Sequence, residues 1–328
     1  MQQQPSKAGD VKSPASTRRG VYAGRLLPYG IIGFTGIIWG FSFSLAKLAV
    51  ENGGQPFGIG SWQGLISGGV LLLVVVLRHG RSGLNKPAAP AFGYQWRRHL
   101  PLIMQLAVLG SALPGLCFYL AASHVPAGVL AITVTLVPIL TYMLAVPLRL
   151  EILSGWRLCG VGFGAGAILL LVLPENSLPD PAALPWVLLA CVSSVCYAAE
   201  NLLLDLRKDH DLGPLRLSCA MNLLAGILQL PIAMASGQLI LPAWPFGVLE
   251  WVLCGLGLIS AVAYTLFVML VRLAGPVFAS QVGYIVTLSG VFWGMMLFGE
   301  AHSVWVWASL AAMLTGLALV TPRNRQAE

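Results

Sequence analysis

Glu151-Ile152-Leu153-Ser154-Gly155-Trp156 and Glu300-Ala301-His302-Ser303-Val304-Trp305 are two copies of one pattern, Glu-x-x-Ser-x-Trp, offset by 300 − 151 = 149 residues. Each copy follows a long apolar stretch (128–148; 277–298) and precedes another (158–173; 308–320). In a chain of 328 residues, that offset makes nearly the whole protein one unit copied once. An even number of membrane crossings per unit would leave the copies parallel, and an odd number would turn the second upside down.

Composition places the chain in a membrane. Charged residues make up 9% and apolar residues 57%, against about 25% charged in a soluble domain. Apolar segments long enough to span a bilayer as helix fall at 28–49, 57–77, 100–121, 127–148, 155–173, 183–204, 214–236, 246–271, 276–298 and 303–321. That gives ten, five per copy. Alternation of period two is absent, which argues against an outer-membrane barrel. The expected fold is all-α and polytopic, with ten transmembrane helices arranged as two inverted five-helix repeats. The expected boundaries are a disordered cytoplasmic tail at 1–25, a first repeat at 26–174, a second and inverted repeat at 175–323, and a short tail at 324–328.

Basic residues set the orientation. With the N-terminus in the cytoplasm, 18 of the 19 Lys and Arg fall on the cytoplasmic side, and only Lys47 lies near the other face. Positive-inside sorting produces this asymmetry, so the net charge of +7 is a topology signal and no nucleic-acid partner is expected. Arg18-Arg19 resembles a twin-arginine export signal, but nine further spans follow a long first one, which therefore reads as a retained helix. The six cysteines lie in or at the ends of spans without metal-site company and read as packing residues; no metal or cofactor is expected. Gly33, Gly36 and Gly40, and Gly160, Gly162, Gly164 and Gly166, sit at spacings that let helix backbones approach. The second group superficially matches a dinucleotide-binding loop, but no strand precedes it and it lies inside an apolar helix.

Trp39-Gly40-Phe41-Ser42-Phe43 leading to Lys47, the stretch Ala127 to Glu151 with its central Pro138, and the matching stretch ending Gly299-Glu300 resemble the drug/metabolite transporter superfamily, specifically its ten-helix EamA-type members. The resemblance covers almost all of 28–321. It implies secondary transport of small organic metabolites or drugs across the bacterial cytoplasmic (inner) membrane, commonly as export, by alternating access, with both termini cytoplasmic and no enzymatic activity. The chain departs from the family habit at Thr287, where a proline equivalent to Pro138 would often stand.

The residues lead to similar places by their own chemistry. Mid-span Pro138 removes a backbone hydrogen bond and is expected to free a carbonyl around Val134; irregular backbone at that depth is tolerated only where it is buried or lines water. Thr135 and Pro138 correspond to Tyr284 and Thr287 at the repeat offset. Gln281 and Tyr284 share a helix face. These residues, with Trp39, Tyr119 and Tyr264, are expected to line a central substrate cavity, the alternative being that they hydrogen-bond to neighbouring helices. Glu200 is the candidate for proton or substrate coupling, set against snorkelling to the interface about one turn away. Lys47 and Glu51, four apart, read as a solvated pair. Glu151 and Glu300 read as structural. Asn222 and Gln229 share a face of the seventh span, as glue between helices or as pathway lining.

The expected partners are a small-molecule substrate and the lipid bilayer; the oligomeric state is left open, a monomer being compatible. Two rivals are weighed. A lipid-modifying membrane enzyme needs clustered acid–base groups at one interface, whereas His79, His99, His124, His210 and His302 are scattered. A passive channel predicts flux without saturation.

Overall fold

The computed structural model describes residues 14–81, 92–172, 180–207, 212–274, 279 and 281–320. In hydrocarbon no water can satisfy backbone N–H and C=O groups, so apolar runs of this length close their hydrogen bonds internally as helix. Ten helices form among the described residues: α1 (Pro14–Glu51), α2 (Pro56–Arg81), α3 (Phe92–Ala107 continued by Leu113–Ala122), α4 (Ala127–Thr133 continued by Leu136–Ala145), α5 (Gly155–Val172), α6 (Leu184–Leu206), α7 (Pro214–Ala235), α8 (Val248–Ala274), α9 (Val282–Phe298) and α10 (Val304–Val320). No strand is present among those residues. Seven are long and apolar enough to cross a membrane unaided; α5, α9 and α10 are shorter apolar helices, at the lower limit of about 17 residues for a bilayer core. Outward faces are apolar too, with Leu73, Val76, Leu77, Val192 and Phe292 exposed, as lipid-facing surface requires. Helix α1 starts at Pro14, twelve residues before the boundary read from the sequence at 26, so residues 14–25 of the tail expected at 1–25 are helical, while 1–13 and the short tail at 324–328 lie outside the described residues.

Contacts between helix ends fix the direction of each helix. Lys47 near the end of α1 meets Glu300 just after α9, and Glu300 meets the start of α4 at Ala127. Phe57, at the start of α2, bonds to Gln238, just after α7. His124, between α3 and α4, stacks on Trp186 at the start of α6 with ring centroids 3.9 Å apart. All of these lie at one end of the bundle, the Glu300 end. At the other, the Glu151 end, Arg272 at the end of α8 bonds to the Leu212 carbonyl just before α7. Gly160, early in α5, packs against Gly316 and Val320, late in α10. Helix α1 therefore runs toward the Glu300 end and α6 away from it, and the second five helices traverse the bundle opposite to the first five.

The main pairings respect an exchange of the halves. Helix α1 packs on α8 and α9, and its counterpart α6 packs on α3 and α4; α2 meets α8 as α7 meets α3. The pairs α2–α7, α4–α9 and α5–α10 map onto themselves. Small residues set the tightest of these. A Cβ on Gly64 would fall 2.6 Å from the Gly226 nitrogen, so α2 and α7 touch backbone to backbone. Gly160 and Gly164 serve the α5 interior, facing α10 and Ile139, whereas Gly162 and Gly166 meet nothing within 4 Å.

Candidate functional site

Two helices are broken near mid-bundle. In α4 the break falls at Val134-Thr135, just before Pro138. The Val134 carbonyl is not left free, as the sequence suggested; it accepts from the Val137 N–H at 3.0 Å. The chain tightens by one residue to use the donor before the proline. In α3 a π-turn at Val108–Ala112 precedes Pro114, whose missing N–H interrupts the ladder. The π-turn brings Gly110 against Glu200, so closely that a Cβ there would fall on the carboxylate.

Around these breaks lie two cavities. One, about 60 Å³, is lined from α1, α4, α6, α8 and α9, including Trp39, Pro138, Glu200, Asn201, Phe267 and Val286. The other, about 50 Å³, is lined from α1, α2, α3, α6 and α8, including Ser42, Gln63, Ser111, Tyr119 and Tyr264. Trp39, Phe43 and Tyr197 border both and form the partition between them. Trp39 stands edge-on to Tyr264 and Phe267, with centroids 5.1 and 5.6 Å away. In the second cavity Tyr119 donates to Gln63, which donates to Ser260 at 2.5 Å, a polar chain across α3, α2 and α8.

The expected site residues divide accordingly. Trp39, Pro138 and Glu200 meet at the first cavity, and Trp39, Tyr119 and Tyr264 at the second. Thr135 and Thr287 are fully buried elsewhere: Thr135 returns its hydroxyl to the Ile132 carbonyl at 2.6 Å, and Thr287 donates across to the Ala131 carbonyl of α4 at 3.2 Å. Thr287 thus takes the alternative of bonding to a neighbouring helix, at the α4–α9 contact, whereas Thr135 bonds back within α4. Gln281 caps the start of α9, and neither it nor Tyr284 lines either cavity. Glu200 does not snorkel; it is 2% exposed and its Oε1 has no hydrogen-bond partner among the described residues. Phe43, Gln63, Tyr197, Asn201 and Phe267 are lining residues that the sequence reading missed. Their signal was weak: aromatic or amide residues in spans are common, and which face meets the cavity depends on neighbours. Asn222 and Gln229, read as glue between helices or pathway lining, donate back to their own helix at Ser218 and Ala225 beside α2, and their side-chain carbonyl oxygens have no hydrogen-bond partner among the described residues.

The repeated glutamates work differently despite equal sequence. Helix α9 ends at Gly299, whose φ of +62° suits a residue without Cβ. The turn delivers Glu300 to a corner where it accepts from Lys47 at 2.9 Å, Ala127 N–H at 2.7 Å and Gly128 N–H at 3.0 Å. Its carboxylate thus caps α4 from another part of the chain. Lys47 also lies 4.6 Å from the centroid of the Phe298 ring. The pair read as Lys47–Glu51 is therefore corrected: Glu51 is exposed, and Lys47 is drawn to the buried carboxylate, which needs the charge more than a solvated one does. Buried His302 sits 3.6 Å from the same carboxylate. Burial, helped by the Lys47 ammonium and opposed by Glu300, holds its imidazole below the usual value. Glu151 makes no such tie. It pairs with Arg157 at 2.6 Å, six residues away, while Ser154 N–H donates to the Tyr142 hydroxyl.

Comparison with known proteins yields a family and a fold. The model of the EamA-like transporter family matches the chain twice, over 29–173 and 184–321. No curated protein matches. A solved structure described only as the crystal structure of a protein is similar in fold, with a TM-score of 0.59 and 18% identity over 88% of this chain and 96% of that one.

Proposed function

The chain belongs to the EamA-like transporter family, and on that premise we propose that it is a secondary transporter that exports small organic molecules across a cytoplasmic membrane by alternating access. The observation that carries the reading is the cavity lined by Trp39, Pro138 and Glu200. Its wall is shared by α1 and α4 of one half and α6, α8 and α9 of the other, so any rearrangement between the halves changes it. Trp39 lies twelve residues before the end of α1, about 18 Å along the axis and hence near the middle of a bilayer core of about 30 Å.

Charge distribution supports the orientation. Arg97, Arg98, Arg149, Arg157, Arg207, Arg216 and Arg272 all stand at the Glu151 end, and Lys47 is the described basic residue at the other, so the Glu151 end is cytoplasmic. The Glu300 cluster then holds the outer end shut by tying α1, α4 and α9 together. The Glu200 cavity lies in the cytoplasmic half, where a substrate for export would load. Opposite running halves with exchangeable pairings supply two similar packings, one open to each side.

The test is transport by purified protein in liposomes, assayed with a broad metabolite and drug panel for saturable uptake and for exchange of labelled against unlabelled solute. A Cβ built on Gly283, in the cavity wall, has Pro138 as its nearest neighbour at 3.9 Å. Gly283→Leu should fill the cavity without forcing backbone apart, lowering transport about tenfold or more while the protein stays folded. Full transport by a folded Gly283→Leu protein would move the pathway elsewhere, and no saturable transport of any solute by the unaltered protein would sink the reading.

A further inference from the structure

Resting on the transporter reading, we infer that the cavity beside Glu200 accepts an organic monocation, an amine or quaternary ammonium carried on a compact apolar body. Glu200 is the acid on the cavity wall, and no Lys, Arg or His lines either cavity. Its carboxyl group is almost wholly removed from solvent, and Oε1 has no donor among the described residues. A buried acceptor in that state costs free energy until something supplies a donor or a positive charge. Gly110 presses on the carboxylate from the π-turn of α3, so the group cannot withdraw in that direction and stays beside the cavity.

The rest of the wall selects among possible guests. An anion would find no cationic side chain among the described lining residues. A neutral hydroxyl could donate to Oε1 but would give the buried carboxyl group no counter-charge. A cation supplies one, and Trp39, Phe43, Tyr197 and Phe267 line the same cavity, rings of the kind that attract ammonium methyl or methylene groups. Val134, Val137, Val282 and Val286 give the apolar body its contact. Besides Glu200, the polar side chains on this wall are Asn201, Tyr197 and Trp39, too few to hold a sugar or a zwitterion with many hydrogen-bonding groups.

Binding to detergent-purified protein is measured with choline and its uncharged isostere 3,3-dimethyl-1-butanol, and with benzyltrimethylammonium as a larger aromatic cation. Expected are saturable binding of both cations, tightest for benzyltrimethylammonium, and a preference for choline over its isostere of roughly tenfold or more. Glu200→Gln should abolish that preference, weakening choline roughly tenfold more than the uncharged compound. Should Glu200→Gln fail to fold, Glu200→Asp, which keeps the charge, should retain the preference and weaken both cations. Equal binding of the isosteric pair by the unaltered protein, or cation selectivity that survives Glu200→Gln, overturns the inference. Liposomes keep the two readings apart. Saturable transport of neutral or acidic solutes that benzyltrimethylammonium does not inhibit would leave a transporter and remove the cation site. Selective cation binding with no transport of any panel member would keep the site and remove the transporter.

Discussion

At the residue scale, Glu300 shows how position overrides identity. Glu151 and Glu300 occupy the same place in the same motif, yet one carboxylate is 29% exposed beside Arg157 and the other is 6% exposed among Lys47 and two backbone donors. Removing the charge of Glu300 leaves half-buried Lys47 without its counter-ion, and Glu300→Gln should lower unfolding stability by about 2–4 kcal/mol. A cycle with Lys47→Met should yield a coupling energy above about 1 kcal/mol in denaturation experiments; additive losses would dissolve the pair. His302 gives the corner a pH dependence. Its folded value lies below the ordinary 6.5, because burial and the Lys47 charge outweigh Glu300. The unfolded chain therefore binds more protons, so the contribution is whole above pH 6.5 and is lost as pH falls from there through the folded value. The melting temperature should drop between pH 7.5 and 5, less steeply in His302→Gln; parallel curves for the two proteins would remove His302 from that dependence.

At the scale of elements, backbone contact decides more than side-chain burial does. Helices α2 and α7 meet where Gly64 faces Gly226 and the Asn222 carbonyl. Lipid tails are as apolar as leucine, so close packing is what holds such a pair together. The atoms that a Gly64 side chain would strike are backbone and cannot rotate away. Gly64→Val should separate the helices and cost about 3 kcal/mol or more, seen as a lower thermal midpoint or failure to purify as a monodisperse species. Gly69, one position off that face with nothing within 4 Å, is the control, where Gly69→Ala should be tolerated. Much of this was legible beforehand. The ten apolar runs become ten helices, and the Gly160 and Gly164 spacing marks a real contact. The breaks were half legible: Pro138 announced one, but the π-turn before Pro114 arises only when the chain must keep its interior face toward α6, where Ser193 donates to the Pro114 carbonyl at 3.0 Å.

At the scale of the whole molecule, the two halves pack as partners under exchange, but their ends are not alike. Transport by alternating access requires the Glu300 end to open, so a reagent that bridges Lys47→Cys and Glu300→Cys should stop transport, and cutting the bridge should restore it. The six native cysteines need checking in the same assay, Cys159 above all because it is exposed. Transport that continues through a complete bridge would place the exit elsewhere.

The sequence by itself determined the membrane setting, the ten helices and the duplication. Those follow from segment length, apolar content and charge counts, properties that a bilayer reads segment by segment. Only the tertiary structure decided which polar groups face a cavity. A helix sequence fixes the angle between Glu200 and its neighbours, but not which way the helix is turned. That was settled by Gly110 on one side and the aromatic wall on the other, just as Thr287, an equal candidate in sequence, was turned into the α4 contact instead. The partner of Glu300 was likewise invisible, since Lys47 lies 253 residues away and meets it only when α1 and α9 are packed.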